Sequence, residues 1–336
     1  METERLGRTN LVVTKLGWGS IPIQRVSEAE AVSVVQAVVD MGVNLVDSAR
    51  GYTTSERRIG IALKGRDARV VLSTKSPIRN AAIYDDVKES LRQLQVQKID
   101  IYHTHGISTF RDYEKILAPG GAYEGLRRAR DEGLIDYIGL SSHSLDVLAR
   151  VVEEGHFDVI MTCYSFLETK AEETVLPLAR AKDIGVLVMK PFSGGVIEEA
   201  GPAMKYVLSM PGIVPIPGSE TIEKTRENWN IFTGSHVLTD KDREYIEATR
   251  KECDKQFCRR CDYCQPCTEE IQIQHILNLR SFVKRGVAGG DWMRDRIEKA
   301  RKCTECGTCL PRCPYQLPIP ELIKANLTWY DSLPKG

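Results

Sequence analysis

Three polar residues each close an apolar run in the first third of the chain. Asp47 follows Val43-Asn44-Leu45-Val46, Lys75 follows Val70-Val71-Leu72-Ser73-Thr74, and His105 ends the run that starts at Ile99. Tyr52 lies five residues past Asp47. These four side chains are a set that can move a proton onto an oxygen. A free phenol titrates near pH 10, but an adjacent ammonium stabilises the phenolate and a carboxylate fixes the ammonium in place. An imidazole beside them can orient a carbonyl or relay a proton. Together they could protonate a carbonyl oxygen while hydride arrives at its carbon. A second concentration of chemistry lies in the thiols. Of ten cysteines only Cys163 precedes residue 250, and the other nine fall between Cys253 and Cys313.

The elements around these residues are readable from periodicity. Short apolar runs at 16–18, 43–46, 70–74, 99–105, 137–140, 157–164, 185–189 and 213–217 read as eight strands. Segments of helical period separate them, which calls for a parallel sheet. No G-x-G-x-x-G follows the first strand, so a closed (β/α)8 TIM barrel fits better than an open doubly wound α/β sheet. In such a barrel the strand ends form the mouth, which is where Asp47, Lys75 and His105 would meet. The expected division is a barrel over 1–250 and a small helical domain over 251–336, with helices at 269–283 and 292–302 separated by the loop 286–290.

Bulk properties exclude other classes. Lys+Arg and Asp+Glu both number 46, which argues against a nucleic-acid or anionic-membrane surface. No apolar window reaches the length of a membrane span, and the start Met1-Glu2-Thr3-Glu4-Arg5 lacks a signal-like apolar core, so a cytoplasmic protein is expected.

The stretch Asp47-Ser48-Ala49-Arg50-Gly51-Tyr52 through Ser55-Glu56-Arg57-Arg58-Ile59-Gly60 resembles the aldo-keto reductase signature. So do Ser73-Thr74-Lys75, Ile99 to His105, and the opening Leu6-Gly7-Arg8-Thr9 and Leu16-Gly17-Trp18-Gly19. The resemblance spans about 5–232 and implies Tyr52 as general acid, Lys75 and Asp47 as its tuning pair, and His105 as the group that orients substrate. His103 falls where the family has no catalytic residue and is read as structural. The resemblance also implies a nicotinamide cofactor. Ser141 and Ser142 stand where the family touches the carboxamide, and Met189 stands where a ring usually stacks on the nicotinamide. Met161 replaces the usual Gln. Gly218, Ser219 and Thr221, followed by Lys224, Glu227 and Asn228, resemble the adenosine-phosphate site. Gly218 takes the place of a phosphate-binding Lys, which leaves NADP(H) and NAD(H) both open.

The thiols form two runs. Cys258-x2-Cys261-x2-Cys264-x2-Cys267 is followed by Cys303-x2-Cys306-x2-Cys309-x3-Cys313-Pro314. The second run matches the bacterial ferredoxin pattern, in which three cysteines hold one [4Fe–4S] cluster and the fourth serves the other. That resemblance, to an alpha-helical ferredoxin domain, implies Cys258, Cys261, Cys264 and Cys313 on one cluster. Cys303, Cys306, Cys309 and Cys267 would hold the second. The first run has x2 before Cys267 and Thr268 in place of Pro. A pair of zinc sites is the alternative, since four-cysteine zinc sites also use C-x2-C pairs. Cys163 and Cys253 fit neither set. Residues 280–302 carry eight basic residues against three acidic ones. This stretch reads either as compensation for cluster charge or as a docking face for an acidic electron carrier such as ferredoxin or flavodoxin.

The whole resembles the ferredoxin-containing branch of the aldo-keto reductases. It implies an NAD(P)H-dependent oxidoreductase acting on a small carbonyl or alcohol, with two [4Fe–4S] clusters for electron transfer. Two other classes stay open: an electron-transfer subunit whose barrel docks partners, and an iron–sulfur redox sensor on a silent barrel.

Overall fold

The computed structural model describes residues 1–285 and 290–334, so most of the expected 286–290 loop lies outside the described residues. The chain opens with an antiparallel hairpin of β1 (Thr3–Arg5) and β2 (Val12–Thr14). Eight strands follow: β3 (Trp18–Gly19), β4 (Leu45–Asp47), β5 (Val71–Ser76), β6 (Ile99–Thr104), β7 (Ile135–Ser141), β8 (Val159–Cys163), β9 (Gly185–Met189) and β10 (Val214–Pro215). They lie in chain order in one sheet, and every neighbouring pair is parallel. Backbone bonds from Gly17 to Pro215 (2.9 Å) and from Gly19 to Pro217 (3.1 Å), with a parallel bridge from Gly19 to Gly218, bring the first strand against the last. This is the expected (β/α)8 barrel.

Helices cover the outside. They are α1 (Glu28–Asp40), α2 (Ser55–Leu63), α3 (Ile83–Leu94), α4 (Phe110–Leu117), α5 (Ala122–Asp131), α6 (Leu145–Glu154), α7 (Val175–Ala181), α8 (Ala200–Leu208) and α9 (Ile222–Thr233). Their starts are written in the sequence: Ser27 and Glu30 form a reciprocal capping box, and Thr109, Ser144 and Thr221 cap with their hydroxyls.

Strand side chains alternate between the two sides of the sheet. Leu45, Val71, Ile101, Val159, Met161, Leu187 and Val214 share one buried cluster with Leu6 and Val13 of the hairpin. Val46, Leu72, Tyr102, Ile160, Val186 and Val188 belong to the other, with the inner faces of the helices. Asp47, Ser73 and His103 are two positions beyond Leu45, Val71 and Ile101, and so share the inner side. The same step carries Lys75 and His105 toward the mouth.

The contacts of the chain divide it into two units: Met1–Ser193 with Glu198–Arg243, and Gly194–Ile197 with Glu244–Gly336. After α10 (Asp240–Cys253) the second unit is helical, with α11 (Ile273–Leu277), α12 (Leu279–Lys284), α13 (Asp291–Ala300) and α14 (Ile319–Asp331). The expected single helix at 269–283 is broken at Asn278. Its side-chain amide donates to the carbonyls of Gln274 and Cys258, and its side-chain oxygen accepts from Arg260, which diverts the local ladder. The N-terminal hairpin and α14 were not anticipated from periodicity, and the mouth segment 108–123 contains α4. Among the described residues no helix is long and apolar enough to cross a membrane.

Candidate functional site

Asp47 ends β4 and Lys75 is the last residue but one of β5, with Asp47 opposite Ser73 and Lys75 opposite His103 in the ladders. The Lys75 Nζ donates to Asp47 Oδ2 at 2.5 Å and to the Ser48 carbonyl at 2.7 Å. Both side chains are almost fully buried. Tyr52 sits in the turn after β4, its amide bonded to Ala49 and its carbonyl to the Ser55 amide that opens α2. Lys75 Nζ lies 5.1 Å from the centre of the Tyr52 ring. The His105 ring meets Tyr52 edge-on, with centroids 6.0 Å apart. The structure thus brings Asp47, Tyr52, Lys75 and His105 together.

Electrostatics set the charge states. Burial pulls the Lys75 ammonium down, but Asp47 and then Tyr52 outweigh it, so its pKa lies above that of ordinary lysine. Burial pushes the Asp47 carboxyl up, against the pull of Lys75 and Ser73. With one oxygen on an ammonium and the other on a hydroxyl, the ionised form is the one the geometry serves. Burial, then Lys75, Arg79 and Lys190, depress His105 to about 3, so its imidazole is neutral at pH 7. Among the described residues the His105 ring makes no hydrogen bond.

A buried chain extends behind this pair. Ser73 Oγ donates to Asp47 Oδ1 at 2.8 Å and lies 3.0 Å from His103 Nε2. Since the serine has one proton and gives it to Asp47, it must accept from His103 Nε2–H. The proton of His103 is therefore on Nε2, and its Nδ1, buried with no partner among the described residues, faces Gly139. Burial, then Lys75 and His105, hold His103 well below the ordinary imidazole range. On the outer side, Arg50 pairs with Glu56, whose other oxygen accepts from Thr74 Oγ1 at 2.7 Å. The Arg50 amide donates to the Lys75 carbonyl at 2.9 Å, which pins the Tyr52 turn to β5.

The residues matched to cofactor contacts are spread along the mouth. Ser141 Oγ accepts from the Gly106 amide at 2.9 Å, and Ser142 Oγ accepts from the Ser144 amide at 2.9 Å. Met189 ends β9 half-buried. A Cβ on Gly218 would lie 2.7 Å from the Pro22 ring and 2.8 Å from the Gly19 carbonyl, which explains why no lysine stands there. Ser219 Oγ accepts from Trp18 Nε1 at 2.9 Å, and Thr221 caps α9. Lys224 pairs with Glu220 at 2.5 Å, Arg25 approaches the same carboxylate at 3.5 Å, Glu227 is exposed and Asn228 is buried.

In the second unit two cavities sort the thiols. Cys258, Cys261, Cys264 and Cys313 line one, walled by Leu277, Tyr315 and Leu317. Cys267, Cys303, Cys306 and Cys309 line the other, walled by Ile271, Pro320 and Ile323. Cys163 and Cys253 line neither. The backbone repeats itself: Arg260 and Asp262 in the first run, and Glu305 and Gly307 in the second, all adopt left-handed conformations. So do Glu270 and Gln316, three residues past Cys267 and Cys313. Alternating turns of this kind point successive N–H groups into a concavity and suit an anionic cluster. Among the described residues no three potential ligands close on a single metal ion; each thiol set surrounds a space instead. Of the basic stretch, Arg294, Lys299 and Arg301 pair with Asp291, Glu270 and Asp331.

Comparison with known proteins places these features. The profile described as "Aldo/keto reductase family" matches residues 14–203, and that described as "4Fe-4S dicluster domain" matches residues 257–318. The chain belongs to the aldo/keto reductase family. This reductase is 28% identical to the L-galactose dehydrogenase of Arabidopsis thaliana over 222 residues, covering 60% of this chain and 69% of the relative. It is 30% identical over 258 residues to the uncharacterized oxidoreductase YrpG of Bacillus subtilis, covering 67% and 76%. The holo form of an aldo-keto reductase from Bacillus halodurans superposes with a TM-score of 0.63 at 26% identity, covering 74% of this chain and 96% of that one.

Sequence reading of the reductase missed Ser73, Glu56 and the linking place of His103. The available signal was the alternation that sets Ser73 and His103 on the inner side with Asp47. Two outcomes follow. Gly139→Ala puts a methyl inside the His103 ring's radius, so stability should fall by about 1–3 kcal/mol in chemical unfolding. That cost should shrink in the Gly139→Ala/His103→Ala double variant. Because His105 gains a proton only near pH 3, far below the ordinary imidazole value near 6.5, the kcat/KM profile should carry no histidine limb from pH 5.5 to 8. An inflection near 6.5 that disappears in His105→Gln would contradict this.

Proposed function

We propose that the barrel interconverts a small carbonyl compound and its alcohol, using Tyr52 as proton donor and a nicotinamide cofactor, NADP(H) or NAD(H), as hydride carrier. The observation that carries the reading is the buried Lys75 ammonium, held 2.5 Å from Asp47 and 5.1 Å from the centre of the Tyr52 ring. An ammonium fixed there favours the phenolate that forms when Tyr52 gives up its proton. His105, neutral and open, can donate a hydrogen bond to a carbonyl oxygen and hold it against the Tyr52 hydroxyl. Bound NAD(P)H would supply the hydride. Ser141, Ser142 and Met189 are the residues proposed for its nicotinamide end, and Gly218, Ser219, Thr221, Lys224, Glu227 and Asn228 for its adenosine end. The start of α9, a twelve-residue helix capped by Thr221, is the helix end that would meet an adenosine phosphate.

For the dicluster domain we propose two [4Fe–4S] clusters, one on Cys258, Cys261, Cys264 and Cys313 and one on Cys267, Cys303, Cys306 and Cys309. Bound clusters would supply one-electron chemistry beside the two-electron chemistry of the barrel. The thiol grouping and the matched left-handed turns support this ligand set.

Tyr52→Phe should lower kcat for NAD(P)H-dependent aldehyde reduction by about 10²–10⁴-fold, with iron content unchanged. Undiminished turnover would overturn the hydride reading and favour a docking or sensing role. Anaerobically purified protein should contain about eight irons and eight sulfides per chain, and Cys313→Ser about half as many. Zinc without sulfide would remove the clusters from the proposal.

A further inference from the structure

NADP(H) and NAD(H) differ by one phosphate on the adenosine ribose, so the charges at the start of α9 bear on which of them the barrel holds. Lys224, the cation assigned to that end above, already donates from Nζ to Glu220 Oε1 at 2.5 Å. Arg25, at the end of the short 3-10 helix after β3, approaches Glu220 Oε2 at 3.5 Å. Burial raises the Glu220 carboxyl, but the bond and charge of Lys224 and then the charge of Arg25 outweigh it, so the group is ionised at pH 7. Over 220–227 the carboxylates of Glu220, Glu223 and Glu227 outnumber the cations Lys224 and Arg226, and Arg25 brings the balance to zero. The hydroxyls nearby are engaged as well. Ser219 Oγ accepts from Trp18 Nε1 at 2.9 Å and lies 2.6 Å from Thr225 Oγ1. Thr225 gives its one proton to the Thr221 carbonyl at 2.9 Å, so Ser219 spends its own on Thr225. A neutral group is left for a ligand instead. The side-chain amide of Asn228, one turn past Lys224 on the same face of α9, is 6% exposed and makes no hydrogen bond among the described residues.

We propose that Glu220 selects NAD(H) for this barrel: its carboxylate accepts from the adenosine ribose hydroxyls and turns away the 2′-phosphate of NADP(H). The inference rests on the hydride-transfer reading above and on the adenosine end assigned there. A ribose diol brings two O–H donors, and one carboxylate can accept both. Acidic residues choose NAD in this way in other dinucleotide sites. A phosphate in the same place brings up to two negative charges at pH 7 and no need of a carboxylate. To gain Lys224 it would have to take the ammonium from Glu220 and leave that carboxylate unpaired beside it. Like charges set together in this manner are what makes a site reject one of two similar partners. Nor could position 218 supply a replacement cation, because a Cβ there would lie 2.7 Å from the Pro22 ring and 2.8 Å from the Gly19 carbonyl.

The test reads binding and so needs no substrate. Calorimetric titration of the full-length protein with its clusters should show NAD+ binding about tenfold tighter than NADP+, or more. Glu220→Gln keeps the shape, removes the charge and releases Lys224. The ratio of the two dissociation constants should then fall by about tenfold or more, chiefly through tighter binding of NADP+. That gain should be lost again in Glu220→Gln/Lys224→Met. Equal affinity in the wild type, or a preference for NADP+, overturns the inference whether or not any variant folds, and leaves the hydride reading standing. A wild-type preference for NAD+ that folded Glu220→Gln keeps in full takes the selecting role from Glu220, and the inference falls. If the wild type binds neither dinucleotide, the nicotinamide reading falls and takes the inference with it.

Discussion

An ammonium and a carboxylate held 2.5 Å apart in the barrel interior cannot be left to approximate packing. Each would cost several kcal/mol to bury alone, and removing one partner leaves the other charge uncompensated. The surroundings answer that demand group by group. Asp47 has Lys75 on one oxygen and the Ser73 hydroxyl on the other, and Lys75 has a second acceptor in the Ser48 carbonyl. Ser73 in turn accepts from His103, and His103 fits only because position 139 has no side chain. The pair thus dictates residues on strands β4 to β7, and its ammonium lies 5.1 Å from the centre of the Tyr52 ring at the mouth.

How much of this could be read beforehand follows from which forces are local. The barrel strands were legible because apolar residues alternate along them, and Asp47, Lys75 and His105 stood out as polar ends of those runs. The cysteine groups were legible because a short C-x2-C loop is itself the local structure. Ser73 and His103 were not, since a hydroxyl or imidazole on the inner side gains meaning only from its neighbour across the ladder. Arg79 lay in a loop with no periodicity, and its hold on Gly106 depends on the end of another strand. The 269–283 helix was missed as two because helical period says nothing of what the Asn278 amide does with nearby carbonyls.

The two parts of the chain use opposite dielectric strategies for negative charge. In the barrel a single carboxylate is answered by one side-chain cation and one hydroxyl. In the dicluster domain the repeated left-handed turns offer backbone N–H groups, and three of the nearby basic side chains, Arg294, Lys299 and Arg301, are engaged with Asp291, Glu270 and Asp331. A charge that must move a proton calls for a titratable partner. A charge delocalised over a cluster is served by fixed dipoles that do not titrate.

The grouping of Cys313 with the first run, and of Cys267 with the second, has a topological consequence. Each proposed cluster is a staple across the same long segment, so the two closures are not independent. Filling one site brings together chain segments whose meeting would otherwise carry the entropy of a long loop, from Cys264 to Cys313 or from Cys267 to Cys303, and the other site then closes at little further entropic cost. Loading of one site should therefore favour loading of the other. Oxidative loss of one cluster would then loosen the hold on its twin, a built-in coupling between the oxygen sensitivity of the two sites.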